Sequence, residues 1–426
     1  MGYDQKVYLS LRSDIDSLAS KIFIFLIAGS FILPIIFSWA SIVDELLILS
    51  LLVYSSFKLI LKGTIGRPFF SLVLVFLYFV LISIFFGYNK SIVQVIVQSI
   101  IHIKFFILFY VLVNLYKKGC SLLYKLTNAF FYFTLFGLLG SFLFRENFYS
   151  FFGILPEYRN DELRHGGFVK SNFLAVFYYL YFLFHFAKLY YQGRKYKPVI
   201  LLVTYTILLF ITGSRAAIIL MPVTFVLFYF KYLVSKIGVD GLKLIAIGGV
   251  LFILSLYFYT DFIEKTFTNI NDIFDLNSHY IRGIMIHLSV LIALDYFPIG
   301  TGSGTFGTVF SQDSDVYEIY GVAHRSYFRD MEGIYDSNIS SILGEFGFIG
   351  LFILIVLSYN LFRFLRRKGV PNKVLLSLKI FLIFYLCTRS ILMNTTLALI
   401  SVIIFILIIN ENFTNFKCVP EQGEEV

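Results

Sequence analysis

Charged residues are scarce in this sequence: Asp, Glu, Lys and Arg make up 14% of its 426 residues, whereas soluble domains contain about a quarter. Apolar residues make up 58%, and the mean hydropathy is +0.83. A soluble protein of this length needs more polar surface than these residues supply, so the remaining surface must face lipid. The composition therefore excludes a soluble domain.

Cysteine is also rare, and internal repetition is lacking. The three cysteines, Cys120, Cys387 and Cys418, are far apart, which excludes a disulfide framework and a zinc site. The sequence has no inverted duplication of the kind that many transporters show. A net charge as large as +9 could suggest nucleic-acid binding. The positive charges lie in the connections between apolar runs, however, and this distribution indicates no nucleic-acid partner.

Long apolar runs dominate what is present. A bilayer core needs about 20 apolar residues per helix, because unpaired backbone groups are costly in lipid. The 52 Phe and 30 Tyr residues suit lipid-facing and interfacial positions. The sequence therefore predicts an all-α, polytopic membrane protein with about 12 transmembrane helices. The runs lie near residues 21–40, 43–61, 69–87, 98–116, 125–144, 171–190, 198–213, 214–234, 243–260, 338–361, 374–392 and 394–410.

Basic residues alternate between the connections. Every even-numbered connection is basic, which is the positive-inside pattern and accounts for most of the net charge. This pattern predicts a multi-pass protein with both termini in the cytoplasm and an uncleaved first span. The basic residues are Lys58, Lys62, Arg67, Lys117, Lys118, Lys125, Lys188, Arg194, Lys195, Lys197, Lys231, Lys236, Lys243, Arg363, Arg366, Arg367, Lys368 and Lys373.

We treat residues 1–426 as one integral membrane domain with two long external loops, 145–170 and 261–337. The second loop carries ten acidic residues through Glu332 and four basic ones, and it is far longer than a connector needs to be. We expect it to contain short helices, including an apolar one over 283–297 that lies at the outer interface or under the loop. The amphipathic stretch 89–101 is expected to lie on the membrane before the fourth span.

Three segments on the external side carry candidate chemistry. Arg215 lies at the mouth of the eighth span, where an interfacial snorkelling arginine is the alternative interpretation. Gly300, Gly302 and Gly304 let the backbone approach a ligand closely and leave amides for an anion, or they form a simple chain reversal. Glu345 lies inside the tenth span, where a charge is expensive and tends to be functional or paired.

These segments resemble the O-antigen polymerase and ligase superfamily, whose polymerases are called Wzy. The resemblance rests on the spans, the large external loop and three motifs, and it covers chiefly residues 165–355. Ligases of this superfamily carry a histidine at the start of the last motif, where this chain has Asp336; this difference favours the polymerase branch. The motifs are Thr212–Ala217, Arg282 with 298–304, and Asp336–Gly350, together with Asn172.

The resemblance implies metal- and cofactor-independent glycosyl transfer on the external face of the bacterial plasma (inner) membrane. A glycan on undecaprenyl diphosphate is transferred to another lipid-linked repeat unit, with membrane lipid, a chain-length regulator and a flippase as further partners. Arg215 and Arg282 are the implied diphosphate ligands, because guanidinium binds phosphate oxygens in bidentate fashion. Asp336 is the preferred base, with His324 and Glu345 as alternatives. The substrate-binding candidates are Gly300, Gly302, Gly304, Arg325, Arg329, His324, Glu345 and Asn172.

Three other functions remain open from the sequence. A ligase would move finished glycan to an acceptor such as a lipid A core or a protein. A flippase or transporter for the same lipid-linked oligosaccharide would spread charges through its helices to line a cavity. A membrane scaffold without activity is the simplest alternative.

Overall fold

The computed structural model describes residues 18–30, 42–62, 67–89, 91–116, 120–159, 162–194, 197–214, 216–230, 281–312, 314–330, 333–411 and 413. Within these ranges the chain is a bundle of α-helices with one two-stranded antiparallel ribbon. The all-α, polytopic prediction is confirmed. Five helices of the described part of the chain are long and apolar enough to cross a membrane.

The elements follow one another in chain order. The helices are α1 (Leu18–Ser30), α2 (Ile42–Lys62), α3 (Arg67–Phe86), α4 (Ile92–Leu115), α5 (Cys120–Phe144), α6 (Glu146–Phe152), α7 (Ser171–Tyr191), α8 (Lys197–Thr212), α9 (Ala216–Phe230), α10 (Ile281–Asp295), α11 (Asp315–Ile319), α12 (Ser326–Arg329), α13 (Asn338–Arg367), α14 (Asn372–Thr388) and α15 (Thr395–Asn410). The strands are β1 (Glu157–Arg159) and β2 (Glu162–Arg164), and 3₁₀ turns lie at Val309–Ser311 and Ile334–Asp336.

Eleven of the predicted apolar runs overlap described helices, and residues 31–40 of the first run lie outside the described part of the chain. The run 243–260 lies outside the described residues, so the count of about twelve spans stays a prediction. The stretch 89–101 does not form a surface helix of its own, as the sequence suggested. It is continuous with the fourth span in α4, because Ser91 caps that helix and accepts from Gln94 N.

Three helices form the centre of the bundle. α15 is buried all round from Leu397 to Ile408, and it packs against α4 and α7, which are also buried over most of their length. A helix that is apolar on every face is stable only when it is enclosed or faces lipid. The surrounding helices α3 and α5 turn large side chains such as Phe85 and Phe136 outward, as expected of a lipid-facing shell.

The long loop before α13 has a core of its own. α10 is the short apolar helix expected near 283–297, and it packs against α13. Apolar side chains from α10 and the loop form a cluster separate from the main core; it includes Ile284, Met285, Leu288, Phe306, Tyr317, Phe328 and Ile334. This cluster fixes the loop on the start of α13, where the candidate site lies.

Candidate active site

An ion pair joins Arg282 to Asp336 at the start of α13. Asp336 ends a 3₁₀ turn directly before Ser337, whose side chain caps α13 by accepting from Ser340 N at 3.2 Å. Arg282 lies in α10, and its Nε and Nη2 donate to the same oxygen, Asp336 Oδ2, at 3.1 and 2.5 Å. Both side chains remain partly exposed, at 21% and 29%. The pair can therefore still meet a ligand.

A second guanidinium, that of Arg389, approaches the same carboxylate. Its Nη1 lies 4.0 Å from Asp336 Oδ2, and its Nη2 donates to Asn172 Oδ1 at 2.7 Å. Arg389 follows the last residue of α14, and its segment is tied to α13 because Leu392 N donates to Asn338 Oδ1 at 3.0 Å. The ends of three separate helices are thus held around Asp336.

A third arginine reaches the cluster from β2. Arg164 Nη1 donates to Asn172 Oδ1 at 3.1 Å and lies 3.5 Å from Glu157 Oε1 on the paired strand. The other oxygen of Glu157 accepts from the backbone N and the hydroxyl of Ser171 at 3.0 and 2.9 Å, which fixes the start of α7. Asn172 therefore lies between Arg164 and Arg389.

The cluster carries an excess of positive charge. Among the described residues, Arg164, Arg282 and Arg389 face two carboxylates, Asp336 and Glu157, which leaves one positive charge in excess there. Partial burial strengthens the field of such a group compared with water. The site is suited to a multiply charged anion, which guanidinium groups bind through paired hydrogen bonds.

The cluster and a group of basic residues lie at opposite ends of α13. α13 begins at the cluster and ends at the basic residues Arg366 and Arg367. At that far end, Lys188 pairs with Glu411 at 3.0 Å and Lys373 donates to Tyr190 OH at 2.7 Å. The positive-inside rule predicts that this basic end is cytoplasmic and that the cluster is external, and this orientation stays a prediction.

A break in α13 forms the binding surface for the glycine-rich loop, residues 298–308. Gly347 has φ +59° and ψ −155° inside the helix, a conformation that essentially only glycine adopts. The loop supplies the hydrogen bonds that the break removes: Thr301 N donates to Gly344 O at 3.1 Å, Gly302 N to Glu345 O at 2.7 Å, and Ile349 N to Pro298 O at 3.3 Å. Broken helices persist at membrane depth only when their backbone groups find such partners.

The carboxylate of Glu345 occupies the amides of this loop. Its Oε1 accepts from Gly304 N at 2.8 Å, Thr305 N at 3.1 Å and Phe306 N at 3.3 Å, and from Thr308 Oγ1 at 3.0 Å. Its Oε2 lies 2.6 Å from His102 Nε2 on α4, and both side chains are fully buried. A carboxylate only accepts hydrogen bonds, so we assign the donor role in this contact to His102 Nε2.

This arrangement changes the interpretation of four predicted residues. The sequence suggested that Gly300, Gly302 and Gly304 free amides for a substrate anion and that Glu345 contacts substrate. In the structure the amide of Gly300 donates to Tyr296 O, that of Gly302 donates to the backbone of α13, and that of Gly304 donates to the carboxylate of Glu345. The anion held by the loop is a side chain of the protein itself, so these residues fix the loop on α13.

The end of α3 and the residues that connect it to α4 also form hydrogen bonds with the glycine-rich loop. Ser83 Oγ accepts from Ser303 N at 2.7 Å, Asn89 Nδ2 donates to Ser303 O at 3.3 Å, and Tyr88 N donates to Thr301 O at 3.0 Å. On the loop side, burial raises the pKa of the Tyr317 phenol, so it stays neutral and accepts from Gly307 N at 2.9 Å. The N-terminal half of the chain therefore positions the loop, although it carries no recognised motif.

Gly302→Ala is expected to lower the free energy of unfolding by about 2–4 kcal/mol. Gly302 has φ +92°, and an added Cβ would lie 2.7 Å from Gly87 Cα. Gly321→Ala is the matched control, because Gly321 also has positive φ (+66°) but nothing lies within 4 Å of its added Cβ; we expect about 1 kcal/mol there. Thermal unfolding in detergent measures both, and equal losses would show that the α3–α4 contact does not constrain the loop.

The structure brings some of the predicted residues together and leaves others apart. Arg282, Asp336 and Asn172 share one cluster, whereas Arg215 lies outside the described residues. His324 is exposed, Arg325 is partly buried at the start of α12, and Arg329 pairs with its neighbour Asp330 at 3.2 Å.

Arg164 and Arg389 belong to the cluster but were not predicted as site residues. The available signal for Arg389 was an arginine at the outer end of a span, where a charge is costly without a partner.

A metal has no evident place among the described residues. No group of three or more His, Cys, Asp or Glu side chains there is arranged to hold one. The tripeptide Asp313-Ser314-Asp315 has the spacing of a metal-binding Asp-x-Asp pair, but Asp313 is outside the described part of the chain and Asp315 begins α11.

One comparison with known proteins bears on this site, and no curated protein matches the chain. Residues 200–355 match the family described as Wzy_C, O-antigen ligase. The matched segment contains Arg282, the glycine-rich loop, Asp336 and Glu345, while Asn172, Arg164, His102 and Arg389 lie outside it. This match supports the O-antigen polymerase and ligase superfamily for the chain and does not distinguish between its two branches.

Proposed function

We propose that the chain is a Wzy-type polysaccharide polymerase of the bacterial inner membrane. It joins oligosaccharide repeat units carried on undecaprenyl diphosphate, on the external face, in the synthesis of O-antigen, capsule or another exopolysaccharide. The observation that carries the proposal is the Arg282–Asp336 pair with Arg389 beside it, at the external end of α13. A flippase and a chain-length regulator of the same process are proposed partners, and both termini are cytoplasmic.

The proposed reaction forms one glycosidic bond and breaks one sugar–phosphate bond. A hydroxyl oxygen of the acceptor sugar attacks the anomeric carbon of the donor, and the bond from that carbon to the diphosphate oxygen breaks. The hydroxyl proton passes to Asp336, and the negative charge that develops on the diphosphate is stabilised by guanidinium groups. The lipid diphosphate then leaves with both bonding electrons.

The present hydrogen bonds of Asp336 give a reason for substrate-dependent activation. Asp336 Oδ2 accepts twice from Arg282, so this oxygen is occupied by Arg282 before a substrate binds. A diphosphate competes for the same guanidinium because it carries more charge and more acceptor oxygens. Donor binding therefore releases Asp336 at the point where a base is needed.

A ligase is the second candidate, because the matched family is described as an O-antigen ligase. Such an enzyme transfers finished glycan from the same kind of donor to a different acceptor. The aspartate at position 336, in place of the histidine of ligases, favours the polymerase. A lipid-linked oligosaccharide flippase is the non-enzymatic candidate, and the grouping of Arg164, Arg282 and Arg389 at one end of the bundle argues against it.

The glycan profile of a deletion strain tests the proposal. We expect single repeat units in place of long chains, visible by gel and by mass spectrometry of surface and lipid-linked sugars. Long chains retained on undecaprenyl diphosphate would instead establish the ligase. Lipid-linked units trapped on the cytoplasmic side would establish the flippase, and wild-type chains would exclude all three.

A further inference from the structure

The guanidinium groups of Arg164 and Arg389, both largely buried, share one neutral hydrogen-bond acceptor. Arg164 Nη1 and Arg389 Nη2 donate to the same acceptor, Asn172 Oδ1, at 3.1 and 2.7 Å. Their side chains are only 11% and 15% exposed. An amide oxygen carries no formal charge, so it satisfies hydrogen bonds without offsetting the repulsion between two cations.

The neighbouring carboxylates compensate this repulsion only in part. Glu157 Oε1 lies 3.5 Å from Arg164 Nη1, and its other oxygen accepts twice from Ser171. Asp336 Oδ2 accepts twice from Arg282 and lies 4.0 Å from Arg389 Nη1, beyond hydrogen-bond distance. Within the described part of the chain, Arg389 thus has a neutral partner at hydrogen-bond distance and an anion only beyond it.

Local backbone dipoles add to the positive potential. Asn172 is the second residue of α7, and Asp336 lies two residues before the start of α13. The N-terminal ends of both helices therefore point toward the same region, and helix N-termini favour anions. Guanidinium charge and helix ends together favour a bound anion with several acceptor oxygens.

We propose that Arg389, Arg164 and Asn172 form a second anion subsite beside the Arg282–Asp336 pair and bind one phosphoryl group of a diphosphate. Arg282 binds the other phosphoryl group, since Arg282 and Arg389 both approach Asp336 Oδ2 from different helices. That the diphosphate belongs to a lipid-linked glycan rests on the proposed function; the subsite itself does not.

Binding to the purified full-length chain in nanodiscs tests the subsite without any glycan. Inorganic pyrophosphate and farnesyl diphosphate are the probes, titrated by calorimetry at low, fixed salt. We expect Arg389→Gln to weaken both by at least about tenfold, because a charge-assisted hydrogen bond is lost. Arg366→Gln is the matched control: it removes the same charge from the exposed, opposite end of α13 and should leave affinity unchanged.

Asn172→Asp provides a test that does not depend on the folding of an arginine variant. It places a carboxylate between Arg164 and Arg389 with almost no change of size. We expect the variant to melt at a higher temperature than the wild type and to lose most of the stabilisation that pyrophosphate gives.

The subsite would be overturned if Asn172→Asp had a lower melting temperature than the wild type and unchanged pyrophosphate binding. Equal affinity of Arg389→Gln and the wild type for pyrophosphate would also overturn it. Tighter binding of farnesyl diphosphate than of pyrophosphate identifies a lipid diphosphate as the ligand; equal binding identifies the diphosphate group alone. If the purified protein binds diphosphate but the deletion strain still makes glycan chains of full length, the subsite is retained and the proposed polymerase function is rejected.

Discussion

Arg282→Ala should reduce glycan polymerisation by about 10²-fold or more while the protein remains in the membrane. Arg282 is the donor of two hydrogen bonds to Asp336 and the proposed ligand of the leaving diphosphate. Its removal takes away charge stabilisation in the transition state and leaves Asp336 without its principal partner. Incorporation of labelled repeat units into long chains in membranes, normalised to the amount of protein, measures the effect.

Two further substitutions separate charge from geometry at this site. Arg282→Lys keeps the charge and loses the planar fork, so we expect intermediate activity.

Asp336→Asn keeps the size and the hydrogen bonding of the proposed base but removes its basicity, and activity should fall as far as in Arg282→Ala. Arg366→Gln at the other end of α13 is the control for loss of an arginine. Activity that survives both changes at Arg282 would rule out the diphosphate role, and near-normal turnover of Asp336→Asn would rule out the base.

The largest effect on stability is expected from Glu345→Ala, which should lower the free energy of unfolding by about 3–5 kcal/mol. The substitution leaves three backbone amides, the Thr308 hydroxyl and the His102 imidazole without their acceptor in a fully buried setting. Unpaired polar groups of this kind are costly because water cannot reach them. Thermal and denaturant unfolding in detergent provide the measurement.

Controls for Glu345→Ala come from the same side chain and from an exposed one. Glu345→Gln keeps an acceptor oxygen for the loop amides and should lose less stability than the alanine variant. Glu318→Ala removes a glutamate that is exposed on α11, and we expect a change within about 0.5 kcal/mol. A loss of similar size for Glu345→Ala and Glu318→Ala would show that the carboxylate does not hold the loop.

The helical architecture was predictable because hydropathy is a local property. An apolar run such as 171–190 specifies its helix wherever the rest of the chain lies, and α7 spans Ser171–Tyr191. The pairing of Arg282 with Asp336 was foreseen as a shared site through the family resemblance. Their contact itself joins residues 54 apart, which no local pattern specifies.

The role of the glycine-rich loop shows where sequence reasoning stops. Amides exposed by glycines attract an anion, and the sequence analysis predicted such a role for the loop. Whether that anion is a substrate phosphate or a carboxylate of the protein depends on tertiary structure. Glu345 and His102 are 243 residues apart, and Arg389 meets Asn172 across 217 residues; such long-range pairs leave no periodic signal.

The contacts of Glu345 with His102 and with the glycine-rich loop also have a consequence for the synthesis of the protein. Translation delivers His102 first, then the amides of residues 304–306, and only afterwards the carboxylate that joins them, 39–41 residues later. Until Glu345 leaves the ribosome, an imidazole in the bilayer and a loop outside it have no common partner. The break at Gly347 separates this late-arriving charge from the apolar remainder of α13, so the segment that must enter the lipid carries no acidic residue. The hydrogen bonds that join α4, the glycine-rich loop and α13 can therefore form only after residue 345 has been synthesised.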